Sequence, residues 1–309
     1  MNVLQRVDEM TLYGDSRGVI ARFVLEKRSS ISRYTLQEIA EQTFTSKTTL
    51  VRFAQALGYK GWREFLQAFL EKAYHQDSYF SDIDPNIPFS ETDPAEDIIN
   101  KISSLQVESI LDTADMIQIP VLKKAVEILM RSDRIAVLGL SPNSLCGELF
   151  RRKMLAIGIT VTVPRVDEGG AYACALTERD CAIVISYAGN QEVRSPMKFV
   201  PIMEKHKVPL IGITGEGENY IRRHMDCVFT MSSRERLYSK IAGFSTEMSV
   251  ITILNILFSC CFQRNYKANW DYKLSNASVL ESERNATVRQ MREAESCSAD
   301  RLEMEFSAE

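Results

Sequence analysis

Histidine is scarce in this chain: His75, His206 and His224 are its three copies, and they lie far apart. A protein metal site needs clustered His, Cys or carboxylate ligands, so neither a metal nor any cofactor is expected. The seven cysteines (Cys146, Cys174, Cys181, Cys227, Cys260, Cys261 and Cys297) contain no CxxC spacing. That excludes zinc ribbons and thioredoxin-type redox motifs. An odd number in mostly apolar surroundings reads as reduced core thiols of a cytoplasmic protein. Cys297, in a polar stretch, is the one whose setting would permit redox chemistry. Long hydrophobic runs are lacking too. The longest, Ser249–Phe262, falls well short of the roughly 20 residues that cross a bilayer, so it reads as a buried helix and no membrane partner is expected. The opening MNVLQRVDEM has no apolar core of a signal peptide. Neither a P-loop lysine nor GxGxxG follows any strand pattern.

What is present is ordinary globular material: 309 residues, 45% hydrophobic and 25% charged, with a net charge of -4. That length suits two domains better than one. A mildly acidic chain is no general polyanion binder, so any nucleic-acid surface must be local. Charge is in fact segregated. Residues 43–63 hold Lys47, Arg52, Lys60 and Arg63 and no acid, whereas 77–97 hold seven acids, no base, and Pro85, Pro88 and Pro94. Proline and acid without helical period read as a linker. The divisions expected are therefore 1–76, an acidic linker 77–97, a second domain 98–266, and a charged tail 267–309 that is partly helical or disordered.

Before the linker the pattern is helical throughout. Val19, Ile20, Phe23 and Val24 follow helical spacing within 16–27, and Thr35 with Glu38 forms a T-L-Q-E capping box. A further helix starts at Thr45 or Ser46 and ends at Gly58, and another runs from Trp62 to Tyr74. A short helix, a tight turn and a helix of about a dozen residues make a helix-turn-helix. Leu36, Ile39, Ala40, Phe44, Leu50, Val51, Phe53 and Leu57 are expected to form its core. Thr45, Ser46, Lys47, Thr48 and Thr49, at the start of the second helix, with Arg52 one turn on and Lys60 beyond, are the candidate DNA contacts. Hydroxyls and lysine reach phosphates or base edges, and Arg52 can reach guanine. A solvated basic face is the alternative, but such faces usually mix signs.

After the linker, helices are expected at 96–113 and 121–131. Apolar runs at 135–140, 159–163, 182–186, 210–214 and 227–231 then alternate with helical stretches. This predicts an α/β domain, a five-stranded parallel sheet flanked by helices on both faces and doubly wound. A long apolar helix, 246–262, closes it. The first strand ends in L-G-L-S-P-N-S-L and the third in I-S-Y-A-G-N-Q-E, each read as opening into a helix. Ser141, Asn143 and Ser144 in one loop, and Ser186, Gly189, Asn190 and Gln191 in the other, are the candidate ligand contacts, with Thr214 nearby. Paired polar loops at strand C-termini define a crevice.

The string V-R-F-A-Q-A-L-G-Y-K-G-W-R-E-F at 51–65, following the Ser/Thr-rich helix start, resembles the N-terminal domain of RpiR-family transcriptional regulators. The α/β part resembles the sugar isomerase (SIS) domain, its second loop answering to S-x-S-G-x-T and its fourth strand to I-x-I-T. The resemblance covers roughly residues 1–265. It implies a double-stranded DNA operator and a phosphosugar effector as partners, with Ser141, Ser144, Ser186, Asn190 and Gln191 around the phosphate. The chain departs from the pattern at Ala188 and Gln191, where two hydroxyl donors are missing, and at Pro142. Each hydrogen bond to a charged group is worth about 1.5–3 kcal/mol. Paired half-sites imply a homodimer or homotetramer, with 96–131 and 246–262 as candidate interfaces.

Two other readings stay in view. SIS domains also occur in phosphosugar isomerases, which need a base at the crevice. Glu148, Glu168, Glu192, Glu235, Glu247, His206 and His224 are the candidates, Glu148 and Glu192 being placed in helices just after the loops. An attached DNA-reading unit makes catalysis unnecessary, so no enzyme is expected. The other reading is a DNA-binding protein with a vestigial sugar site.

Overall fold

The computed structural model describes residues 3–79, 83–281, 284 and 286–288. Cys297 and most of the charged tail lie outside them. The N-terminal unit comprises α1 (Val3–Met10), α2 (Ser16–Lys27), α3 (Leu36–Gln42), α4 (Lys47–Ala56) and α5 (Trp62–Tyr79), with a 3-10 segment at Arg28–Arg33. Local chemistry sets these boundaries. Asp15 caps α2 by accepting the Arg17 N–H at 2.9 Å. The Thr35–Glu38 box closes on itself: Thr35 N donates to Glu38 Oε2 at 2.7 Å and Glu38 N to Thr35 Oγ1 at 3.3 Å. Gly58, at φ 88°, ends α4 in the left-handed region that glycine adopts at no cost. Ile20, Val24, Ile39, Leu50, Phe53, Phe65 and Phe69 form the buried centre, with Phe53 and Phe65 edge-to-face at 5.7 Å.

Phe44 is not part of that core. It stands in the α3–α4 turn at φ 52°, with 96% of its surface exposed. Its backbone N–H caps α3 through Glu41 O, and Thr45 N reaches back to Ala40 O at 2.8 Å. This turn geometry aims Cβ outward although the residue is apolar.

The second unit comprises α6 (Ala95–Met116), α7 (Ile119–Arg131), β1 (Ile135–Gly139), α8 (Asn143–Leu155), β2 (Val161–Thr162), α9 (Gly169–Ala175), β3 (Cys181–Ser186), α10 (Val200–Lys205), β4 (Leu210–Thr214), α11 (Tyr220–His224), β5 (Cys227–Thr230), α12 (Phe244–Arg264) and α13 (Tyr266–Leu280). The five strands are all parallel, in the order β2-β1-β3-β4-β5. Alternate strand residues enter two different cores, as the period of two requires. Ile135, Val137, Ile183, Ile185, Ile211, Ile213 and Phe229 face α7, α8 and α12. Ala136, Leu138, Ala182 and Val184 face Phe199, Val200, Met203 and Ile221. Helix α12 is long and apolar enough to cross a bilayer, yet it buries Val250, Ile253, Leu254 and Leu257 against the sheet.

Three expectations change in this unit. Cys174 is exposed rather than a core thiol. No helix opens directly after β3: residues 191–196 are turns, a short 3-10 segment follows at Met197–Phe199, and α10 starts only at Val200. Pro196 disfavours helix at Ser195 before it, which delays the start. Glu192 is therefore not helical. The acidic linker is also anchored at its middle. Pro85, Asn86 and Pro88 are buried, and Asn86 accepts the Arg236 N–H at 2.6 Å through Oδ1 and the Ile241 N–H at 2.9 Å through its carbonyl.

Candidate DNA-reading face and ligand crevice

Helix α4 begins at Ser46, whose Oγ accepts the Thr49 N–H at 3.1 Å and sits 2.9 Å from Thr49 Oγ1. Thr45 pairs its hydroxyl with Thr43 Oγ1 at 2.9 Å. Of the seven sequence-predicted contacts, these three thus build the turn and the helix start. Lys47, Thr48 and Arg52 are exposed, and Thr48 and Arg52 are four residues apart on one helix face. Lys47 and Arg52 have no carboxylate within ion-pair distance among the described residues, so their charge is available to a polyanion. Lys60, in the α4–α5 turn, is exposed, while its backbone N–H donates to Glu64 Oε2 at 2.7 Å. In the first turn of α4 the Thr49 N–H is taken by Ser46, and the positive end of the helix dipole, beside Lys47, favours an anion.

At the other site, β1 and β3 are neighbours with Gly139 opposite Ile185. The loops that leave them start about 5 Å apart, the spacing of adjacent strands. The connection after β1 leads to one side of the sheet and that after β2 returns past it to β3. The crevice therefore opens at the topological switch point, where α/β sheets bind ligands. Ser141 is exposed, and Asn143 and Ser144 are half-buried in the first turn of α8. Pro142 offers that helix no side-chain cap. Ser186 Oγ accepts the Gly189 N–H at 3.3 Å, which leaves its own O–H to donate. Gly189 sits at φ 63°, and a Cβ there would lie 2.5 Å from Thr214 Oγ1.

Two groups at the second loop also hold it in shape. Asn190 Oδ1 accepts the Tyr220 N–H at 3.1 Å, so its carbonyl anchors the start of α11. Thr214 is buried, accepts from Asn219 Nδ2 at 3.1 Å and donates to the Tyr187 carbonyl at 3.3 Å. Gln191 is exposed at the loop's rim.

Sequence reasoning missed the loop at 232–243. Tyr187, inside the second ligand loop, donates its hydroxyl to Glu235 O at 2.6 Å and Ser233 O at 3.1 Å. Burial pushes its phenol pKa up. The buried Glu235 carboxylate accepts from Ser245 N at 2.6 Å and Thr246 Oγ1 at 2.7 Å and pairs with Lys240 at 2.7 Å. It thereby caps α12, which Gly243 cannot cap with a side chain. Arg234 reaches Glu108 of α6 at 2.7 Å. A patterned strand–helix reading carries no signal for such a loop, because its partners are remote in sequence.

The acid–base candidates disperse. Glu148 pairs with Arg151 at 2.5 Å, Glu192 faces Arg223 at 3.6 Å, and Glu168 accepts the Arg165 N–H at 3.1 Å. His206 and His224 precede β4 and β5, at the end of the sheet opposite the crevice. His224 Nδ1 lies 2.9 Å from Glu204. Glu247, in the first turn of α12, has its carboxyl pushed up by burial and then by the Glu235 charge.

A helix-turn-helix unit joined to a doubly wound domain with a polar crevice at its switch point defines a two-unit transcription regulator. Residues 1–77 match the family model described as the helix-turn-helix domain of the rpiR family, and 128–258 match that of the SIS domain. An uncharacterised HTH-type transcriptional regulator of Haemophilus influenzae is 24% identical over 85% of this chain and 90% of its own. Another, from Caldanaerobacter subterraneus, is 22% identical over 90% of this chain and 97% of its own. The NanR protein of Vibrio vulnificus, solved in complex with ManNAc-6P, shares the fold with a TM-score of 0.55 and 20% identity, over 92% of this chain and all of that one. The chain belongs to the RpiR family of helix-turn-helix transcriptional regulators.

Proposed function

We propose that α4 reads a double-stranded operator and that a phosphosugar in the β1–β3 crevice changes how tightly it does so. Lys47, Thr48, Arg52 and Lys60 contact DNA directly, while Thr45, Ser46 and Thr49 hold the helix start in shape. Ser141, Asn143, Ser144 and Ser186, with the backbone at Gly189, take the phosphate, and Gln191 lies within reach of the rim. The observation that carries this is the pairing of an acid-free, exposed recognition helix with free hydroxyls at a switch-point crevice. The phosphosugar complex of the similarly folded NanR supports the ligand class. Two half-sites require two reading heads, so the working form is a homodimer or homotetramer.

The 232–243 loop supplies a route between the sites. On one side it carries Tyr187 of the ligand loop; on the other it carries Asn86 of the linker and, through Arg234, Glu108 of α6. Ligand that moves Tyr187 would shift the segment leading to the N-terminal unit, by no more than its differential affinity for the two arrangements. Thermal-shift screening of phosphosugars tests the crevice. At least one raises Tm of the wild type, and Ser186→Leu abolishes that rise while operator binding persists. Loss of operator binding together with the ligand response would sink the two-site account.

A second reading, isomerisation, is favoured by Glu247, in the first turn of α12, whose carboxyl is pushed up by burial. Turnover of a phosphosugar by the purified chain, lost in Glu247→Gln, would establish it. The regulator reading predicts none.

A further inference from the structure

We infer that Phe44 is itself a base-reading residue, its ring meeting the 5-methyl group of a thymine in the major groove. The inference rests on the operator-reading proposal above and adds to it an aromatic contact. Phe44 holds φ at 52°, a region that favours glycine, asparagine and aspartate and in which a bulky aromatic is an outlier. The strain cannot relax locally. Thr43 is buried with its hydroxyl donating to Ile39 O at 2.7 Å, and Thr45 N is tied to Ala40 O. The ring gains no burial in return, being 96% exposed. A site that keeps an apolar ring both strained and wet is drawn from the class of positions where backbone strain serves function.

Its place says which function. Phe44 stands two residues before the Ser46 cap, within the acid-free stretch 43–63, at the end of α4 that offers Lys47 and Thr48. A recognition helix enters the groove by its N-terminal residues. The hydroxyls, Lys47 and Arg52 can satisfy donors, acceptors and phosphates there. The thymine methyl is the apolar group on a major-groove edge; the threonine methyls of α4 offer it a small contact, and the exposed Phe44 ring offers a larger one.

The probe is a duplex selected by the wild-type chain from a random-sequence pool, with each thymine replaced in turn by uracil. One replacement lowers wild-type affinity about fourfold, the value of one buried methyl group. Phe44→Gly, which removes the strain, melts no lower than wild type, binds the parent duplex more weakly, and no longer distinguishes thymine from uracil at that position. Phe44→Asn, whose side chain also tolerates the left-handed region, repeats the result if the glycine variant is poorly folded. Undiminished binding by both variants, or an unchanged thymine-to-uracil ratio, overturns the inference and leaves the operator reading standing. A wild type that selects no duplex at all overturns both.

Discussion

Arg52 and Lys47 differ in what their loss should do, because a base contact and a phosphate contact leave different traces. Arg52→Ala should weaken operator binding by about 1–3 kcal/mol and relax preference at one base pair; Lys47→Ala should weaken all duplexes alike and reduce the salt slope by about one. Competition binding at several salt concentrations separates them, and unchanged binding would remove either from the interface. At this scale the sequence was legible wherever the chemistry is local. The Thr35–Glu38 box, the Ser46 cap and the Gly58 stop each involve partners within a few residues. It was opaque where a distant group decides. Nothing beside Asn190 announces that Tyr220, thirty residues on, takes its oxygen and so fixes how its amide is turned. Phe44 reads as core until the sign of φ turns it outward.

The strands announced themselves by apolar runs and the fold class followed, since wholly apolar strands between helices admit few arrangements. The missing helix after β3 did not, because its start is set by Pro196 and by where Gly189 sends the chain. Gly189→Ala should be strongly unfavourable: the new Cβ meets Thr214 and Asn219 and φ is positive, a loss of more than about 1 kcal/mol. Chemical denaturation measures it, and wild-type stability would contradict the packed loop. The foot of β3 makes a pH prediction. Burial raises the Asp180 carboxyl, but Arg134, at 2.7 and 2.9 Å, and the Thr177 N–H and O–H outweigh it and hold the pKa at about 2. A depressed carboxylate stabilises the fold above its ordinary pKa of 3.8, and that stability is lost as pH falls toward 2. Asp180→Asn should therefore lower stability at neutral pH and flatten the acid limb of the Tm profile. An acid limb identical to wild type would rule the pair out as its source.

Across the whole molecule, the linker is fastened to the second unit by chemistry that no periodic pattern reveals. The acidic, proline-bearing stretch reads as a tether, and only the folded chain shows Asn86 fastened to the 232–243 loop. If that loop carries the signal, Asn86→Ala and Tyr187→Phe should each leave operator and ligand affinities within about twofold while shrinking the coupling between them. The double variant should lose little more than either alone, as groups acting in series do. Additive losses would place the route elsewhere. The central claim, that one chain couples a crevice to a recognition helix, is tested most directly by measuring operator Kd with and without each member of a phosphosugar panel. The account predicts that at least one sugar changes operator Kd by about 5–150-fold, and that the operator changes the Kd of that sugar by the same factor. A phosphosugar that binds the crevice tightly and leaves operator Kd unchanged would contradict it.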